Sequence, residues 1–278
     1  MTRIIVDSSS DYPRAEALEK GICVVPLTVT LDGKTYCDGQ DLEKDEFFQL
    51  MEESDSFPKT SQVSPQAFLD VFKEAKAAGE DVVVITLSSA LSGTWQSAQL
   101  GKTMADHDGV YIVDSLAASC LIMVMADYAL KLSSEGLGAK DIAQALENLK
   151  GRVKVAASLD TLEYLHRGGR LPRAAATIGE MAKLKPVIHL TEEGKVGVLG
   201  ACLGKKKSLD FVMKTLGKAT LDPLFPVYTL YTYGTKNCEK LEARLADAGA
   251  PSVRRLQIGS VIGAHVGPEA CGVLYVEA

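Results

Sequence analysis

Hydroxyl-bearing residues collect directly after three short apolar runs of the sequence. The turns that follow these runs are Asp7-Ser8-Ser9-Ser10, Ser88–Thr94 and Asp114-Ser115. Continuous β-branched runs are typical of buried parallel strands, and ligands bind beyond the carboxyl ends of such strands. The pattern therefore predicts a ligand site rich in neutral hydrogen-bond donors. No obvious catalytic base lies among them, which favours holding a ligand over transforming it.

The loop Ser88–Thr94 carries the strongest of these signals, because a predicted helix begins near Gly93. Free backbone N–H groups at the start of a helix favour an anion, and Ser92 and Thr94 can add hydroxyl donors. The alternative is that Ser92 is an ordinary N-cap. Four hydroxyl residues within seven exceed what one cap needs, so the loop favours binding.

Two further segments could contribute polar groups to a site. Thr60, Ser61 and Gln62 precede a helix that Ser64 is expected to cap, and taken alone they are a weak signal. Arg167 and Arg170 flank two glycines, and arginine forks suit carboxylate or phosphate. Solvated arginines at a helix end explain that spacing equally well.

One histidine, His265, lies in a glycine-rich segment, 258–268, which we interpret as a turn. A structural role and approach to a ligand are both open for it. Asp7 and Asp114 could act as a base or hold a metal, although each also suits the cap of a strand-to-loop turn. The sequence contains no GxSxG, GxGxxG, Walker A or HExxH motif. We assign no catalytic residue, metal ligand or cofactor.

The net charge of −6 argues against general nucleic-acid binding, but the charge is unevenly placed. Segment 151–218 has 13 Lys and Arg against 6 Asp and Glu, whereas the remainder has 17 against 30. Such a basic surface can attract an anionic ligand or an acidic partner, and a solvated helix face is the other interpretation.

Composition also sets expectations for the compartment. No 18-residue apolar span and no signal-peptide pattern occur, so we expect a cytoplasmic protein without stable membrane insertion. The six cysteines are scattered without a CxxC pair, which predicts small core residues rather than disulfides or a zinc site.

Alternation of strands and helices predicts two domains. Residues 1–150 form an α/β, Rossmann-like domain with a mainly parallel sheet, one strand of which spans 22–31. An irregular insertion with one short helix occupies about 35–63. Residues 151–278 form an α+β domain that includes a helix over 172–182.

In this order the motifs resemble the DegV family, and the match spans nearly the whole chain. The matching segments are Val6–Asp11, Val25-Pro26-Leu27, Thr60–Pro65, Ser88-Ser89 with Leu91–Thr94, Val113-Asp114-Ser115, Asp160–Arg170 and Ile258–Pro268. Each motif is short, but seven in register are specific.

The resemblance implies binding of a long-chain fatty acid, whose acyl chain is buried in the first domain. It also implies a carrier that presents the acid to a separate fatty acid kinase in phospholipid metabolism. By motif position, Thr60 and Ser92 would hydrogen-bond the carboxylate. Ser61, Gly93, Arg170 and His265 would lie near the head group.

One stretch departs from the family pattern. Leu116–Met123 is bulkier than the small residues common there, which bears on the shape of the tunnel. The apolar helix over 118–130 could line that tunnel or could simply pack in the core.

Two other functions stay open at this point. One is an enzyme acting on a small acyl or phosphorylated substrate with Asp7, Asp114 or His265. The other is a regulatory module that senses lipid and binds another protein. Retained hydrophobic ligand favours the carrier, and turnover lost on Asp7→Asn favours the enzyme.

Overall fold

A computed structural model describes residues 2–171, 184–250 and 254–278. The strands are β1 Thr2–Asp7, β2 Cys23–Val25, β3 Thr28–Leu31, β4 Lys34–Cys37, β5 Lys59–Ser61, β6 Asp81–Thr86, β7 Val110–Asp114, β8 Val153–Ser158, β9 Lys185–Leu190, β10 Val196–Cys202, β11 Tyr228–Tyr231, β12 Arg254–Gln257 and β13 Cys271–Val276. The α-helices are α1 Arg14–Glu19, α2 Lys44–Glu53, α3 Pro65–Ala77, α4 Thr94–Ala105, α5 Cys120–Ser134, α6 Ala139–Leu149, α7 Glu163–Arg167, α8 Lys205–Leu216, α9 Lys236–Asp247 and α10 Ser260–Val266.

A four-stranded parallel sheet organises the first half of the chain, in the order β2-β1-β6-β7. Its central strands are buried along nearly their whole length, as their β-branched runs predict. Helices α3, α4, α5 and α6 pack against these strands. The carboxyl ends of all four strands therefore lie at one edge, together with the loops that follow them.

The predicted strand over 22–31 is wrong as a single element. It forms two strands, β2 and β3, with Pro26 in the break between them. Proline has no N–H to donate to a ladder, and the chain leaves the parallel sheet at this point. The hairpin turn at Asp32-Gly33 is present, and both residues have positive φ, as a type I′ turn requires.

The segment 35–63 is more regular than its polar sequence predicted. Strands β4 and β5 lie on either side of β3 in a small antiparallel sheet, and α2 follows β4. The short strand β5 carries Thr60 in its middle and pairs it with Val29. This small sheet therefore fixes the position of Thr60.

The second half forms a six-stranded mixed sheet in the order β10-β9-β8-β13-β11-β12. Only the pairing of β11 with β12 is parallel among the pairs described in this sheet. The hairpin of β9 and β10 lies at one edge. The expected α/β half followed by an α+β half is confirmed. The predicted helix over 172–182 lies outside the described residues.

Apolar packing joins the two halves. The largest cluster of buried side chains combines the parallel sheet and its helices with residues of the second half of the chain, among them Leu230, Leu256, Val261 and Leu274. A domain boundary near residue 150 stays a prediction, since this packing is continuous across it. Across the described ranges, no helix has the length and apolar character needed to span a bilayer.

Candidate functional site

An apolar cavity of about 380 Å³ opens between the two halves of the chain. Loops at the carboxyl ends of β2, β6 and β7 contribute Leu27, Leu87, Leu91 and Ala118 to one wall, and α5 adds Leu121. The second half closes it with Val155, Ala157, Ile188, Leu190, Val196, Val261 and Ile262. A volume of this size is within the range of small-molecule sites, which are also mostly apolar with few polar groups.

The structure brings the six predicted site residues to this one cavity. They are Thr60, Ser61, Ser92, Gly93, Arg170 and His265. They come from β5, from the loop before α4, from the segment after α7 and from α10. Residues more than 200 positions apart in the sequence are therefore neighbours here.

Thr60 and His265 are in direct contact, with Thr60 Oγ1 2.9 Å from His265 Nε2. The glycine-rich segment around His265 is helical, so its interpretation as a turn was wrong. Gly263 lies on this helix, and a Cβ there would come within 2.4 Å of the Phe48 ring. The glycine thus permits α10 to pack closely against α2.

Burial, together with a smaller effect of the nearby positive charge of Arg170, lowers the pKa of the His265 imidazole to about 4 and so favours the neutral ring. Its Nδ1 atom is buried and has no hydrogen-bond partner within the described ranges. A Cβ at Gly168 would lie 2.1 Å from that atom, so glycine is needed where α7 ends against the ring.

Arg170 is a half-buried cation at the cavity. Its Nε donates to the Leu91 carbonyl at 3.1 Å, and Nη1 donates to the Gly168 carbonyl at 2.5 Å. No ion pair to Arg170 is found among the described residues, and burial lowers the pKa of its guanidinium. Carbonyl groups hold this side chain in place, and within the described part of the chain no carboxylate balances its charge, which suits an anionic ligand.

Ser92 and Gly93 lie at the start of α4. The N-cap position belongs to Gly93, and Ser92 Oγ, one residue earlier, still accepts from the Thr94 N–H at 3.3 Å. The Ser92 hydroxyl lies 3.0 Å from that of Thr94. A Cβ at Gly93 would collide with the Gln62 amide, and Gln62 itself donates to Ser97 at 2.9 Å.

Asp7 and Asp114, the acidic candidates of the sequence, form hydrogen bonds within their own turns and with neighbouring loops. Asp7 is fully buried and accepts from the backbone N–H groups of Ser9 at 3.1 Å and Leu87 at 2.6 Å. Burial raises the pKa of Asp7 to about 6. Asp114 accepts from the N–H groups of Ser89 and Leu116. Neither residue lines the cavity. Their hydrogen bonds hold the turns at the ends of β1 and β7.

Both halves of the chain line the cavity, whereas the resemblance implies an acyl chain buried in the first domain. Of the apolar residues of segment 118–130, Ala118 and Leu121 line the cavity, and Ile122, Val124, Met125 and Ala129 are core residues. Helical spacing cannot distinguish these two roles.

His189 also lines the cavity, and sequence reasoning missed it. Burial lowers the pKa of this imidazole. A Cβ at its strand partner Gly197 would lie 2.4 Å from His189 Nε2. A lone histidine in the apolar strand Pro186–Leu190 was the available signal, but its meaning depends on which face of the sheet meets the cavity.

No cluster of three or more His, Cys, Asp or Glu side chains able to hold a metal occurs in the ranges that the structure covers. The six cysteines are free thiols, and Cys120, Cys238 and Cys271 are buried.

The family model described as "Uncharacterised protein, DegV family" matches residues 1–278. This chain belongs to the DegV family. A DegV domain-containing protein of Caldanaerobacter subterraneus subsp. tengcongensis is 33% identical over 99% of this chain and 98% of its own length.

Solved structures agree with this assignment. A DegV family protein from Thermus thermophilus, described by its fatty acid binding, has 33% identity and a TM-score of 0.90 over 100% of this chain and 99% of its own. A fatty acid binding DegV family protein from Streptococcus agalactiae has 26% identity and a TM-score of 0.92 over 100% and 99%. The two-part fold of this DegV protein is therefore that of its solved relatives.

Proposed function

We propose that this DegV protein binds one long-chain fatty acid, with the acyl chain in the apolar cavity and the carboxylate at Thr60, Ser92, Arg170 and His265. The observation that carries the proposal is the meeting of these polar groups on one apolar cavity. Fatty acid binding by the Thermus thermophilus and Streptococcus agalactiae relatives supports it.

The apolar walls supply most of the binding free energy. Burial of a methylene contributes about 0.8 kcal/mol, so roughly fifteen contribute on the order of 12 kcal/mol before the cost of association. A net hydrogen bond contributes about 1 kcal/mol, or somewhat more when one partner is charged. The polar groups therefore determine the orientation of the acid and contribute less than the apolar walls to its affinity.

His265 directs the hydroxyl of Thr60. A neutral imidazole protonated at Nε2 donates to Thr60 Oγ1 across the observed 2.9 Å, and the Thr60 proton is then free to point toward a carboxylate oxygen. Arg170 supplies the positive charge, held by the carbonyl groups of Leu91 and Gly168. The carboxylate is thereby fixed without a covalent bond.

The second step of the proposal is presentation of the bound acid to a separate fatty acid kinase. The kinase would transfer the γ-phosphoryl group of ATP to a carboxylate oxygen and release ADP. Resemblance to the DegV family supports this role. A carboxylate held by hydroxyl groups and one arginine keeps its nucleophilic oxygen lone pairs, which such a transfer requires.

Native mass spectrometry of the protein purified from cells, followed by solvent extraction, tests the first step. We expect one fatty acid per chain, and in Ser92→Ala an affinity for added fatty acid that is lower by about tenfold, because a hydrogen bond to a charged group contributes about 1.5–3 kcal/mol. Ser64→Ala is the matched control, because Ser64 caps α3 through a 3.2 Å bond from the Ala67 N–H and does not line the cavity. A protein that is empty and ignores added fatty acid contradicts the proposal.

Presentation to a kinase is tested separately. The loaded protein, the candidate kinase from the same genome and ATP are incubated with hydroxylamine, which converts an acyl phosphate to a hydroxamate. We expect hydroxamate only when all components are present. Binding of fatty acid without hydroxamate would support a lipid-sensing module instead.

A further inference from the structure

Two buried carboxylates from the first half of the chain hold the start of α10. Asp11 Oδ1 accepts from the Gly259 N–H at 2.7 Å, and Asp38 accepts from the Ser260 hydroxyl. His265 lies in the last turn of this same helix, roughly 9 Å further along its axis at about 1.5 Å per residue. The position of the imidazole therefore depends on how the helix is held at its beginning.

The second oxygen of Asp11 bonds a different wall of the cavity. Asp11 Oδ2 accepts from the hydroxyl of Ser119, which lines the cavity directly before α5. Ser119 has a φ of 59°, in a region that non-glycine residues seldom adopt. One carboxylate thus joins the start of α5 to the start of α10.

Gly259 makes the contact with Asp11 possible. A Cβ at this position would lie 2.5 Å from Asp11 Oδ1, a distance that would force the carboxylate away. The short distance between Asp11 and Gly259 therefore depends on both residues, and a substitution of either one can disturb it.

We infer that Asp11 is a positioning residue of the fatty acid site, whose carboxylate fixes α10 against Ser119 so that His265 meets Thr60. This inference rests on the proposed function for its relevance to binding, but the position of His265 can be measured without a ligand. Retaining a buried carboxylate has an energetic cost: burial raises the pKa of Asp11 to about 7 against the opposing effect of Lys44.

The test combines fatty acid affinity with the NMR signals of the His265 ring in lipid-free protein. For Asp11→Ala we expect about tenfold weaker binding and a changed Nε2 signal, because the hydrogen bond to Thr60 loosens. For Asp11→Asn we expect fatty acid affinity within about twofold of wild type and an unshifted Nε2 signal. Its Oδ1 can accept from Gly259, and its Nδ2 can donate to Ser119 Oγ.

Asp7→Ala is the matched control. Asp7 is equally buried, but its hydrogen bonds go to Ser9 and Leu87 rather than to α10 or Ser119. We expect lower stability with an unchanged His265 signal. If Asp11→Ala does not fold, Gly259→Ala disturbs the same contact from the other side and should give the same changes.

Three results would overturn the inference. They are an unchanged His265 signal in folded Asp11→Ala or Gly259→Ala, an equal change in Asp7→Ala, and failure of Asp11→Asn to preserve the signal. Failure of the proposed function looks different, because wild-type protein would then bind no fatty acid while the His265 signals still responded to Asp11→Ala.

Discussion

Thr60 Oγ1 lies 2.9 Å from His265 Nε2, although the two residues are 205 positions apart in the chain. Thr60 sits on the short strand β5, and His265 sits on α10. Their contact joins the two halves at the polar end of the cavity. In the proposed function, this contact orients the Thr60 hydroxyl and leaves its proton for a carboxylate oxygen.

Substitution Thr60→Val removes that hydroxyl with little change of shape. Because a hydrogen bond to a charged group contributes about 1.5–3 kcal/mol, we expect fatty acid affinity to fall at least tenfold. Displacement of a fluorescent fatty acid measures it. Thr30→Val is the control, since Thr30 bonds Thr35 on the same small sheet and does not line the cavity. Equal affinity in both variants would contradict the role of Thr60.

Comparison of Arg170 with Arg167 tests whether a cation at the cavity acts differently from a cation on the surface. Arg167 pairs with Glu163 at 2.9 Å and lies over the Phe57 ring, whereas Arg170 is half-buried at the cavity. We expect Arg170→Gln to weaken fatty acid binding about tenfold or more and Arg167→Gln to change it less than twofold. Titration at two salt concentrations measures both variants. A similar loss in each would indicate a general effect of charge rather than a built site.

The strand and helix order was predictable because buried parallel strands and amphipathic helices have distinct periods. The runs Asp81–Leu87 and Val110–Val113 are examples, and both form strands of the parallel sheet. The break that Pro26 makes between β2 and β3 was not predictable in this way. Whether a proline bends a strand or ends it depends on the sheet that the following residues join.

The site was predictable in part. Ser92 stood out as a surplus hydroxyl group next to a helix start, whereas the segment with Thr60 was a weak signal. Spacing left the roles of Arg170 and His265 open, and motif resemblance gave all four residues a place at the head group. Local sequence could not show that these residues meet, because their contact depends on packing of the two halves. It could not separate Asp7 from a functional acid either, since a turn cap and a catalytic base use the same side chain.

If the acyl chain occupies the cavity as proposed, the side chain at position 118 limits the space available to it. Ala118 is half-buried and lines the cavity, so Ala118→Leu adds three carbons to the wall. We expect the extracted fatty acids to shift toward shorter chains, because each methylene that no longer fits forfeits about 0.8 kcal/mol. Mass spectrometry of the extract measures the shift. Ala145→Leu, at a half-buried position outside the cavity lining on α6, should leave the distribution unchanged.

The buried imidazole of His265 makes the stability of the lipid-free protein depend on pH. In the lipid-free protein its pKa is about 4, below the ordinary value of 6.5, because the ring is buried. The folded state therefore binds fewer protons than the unfolded state between these values, and the contribution of His265 to stability is complete above pH 6.5 and decreases as the pH falls toward 4. His265→Gln removes this part of the pH dependence.

Loading with fatty acid should raise the pKa of His265, because a nearby carboxylate favours the protonated ring. NMR titration of the ring signals, with and without lipid, measures the change. The control is loading of Thr30→Val, which leaves the site intact and should show the same rise. A His265 pKa that is the same in the loaded and lipid-free protein would place the carboxylate away from α10. The acid would then bind with its head group at another part of the cavity, where the described lining also offers the polar side chains of Gln62, Ser119 and His189.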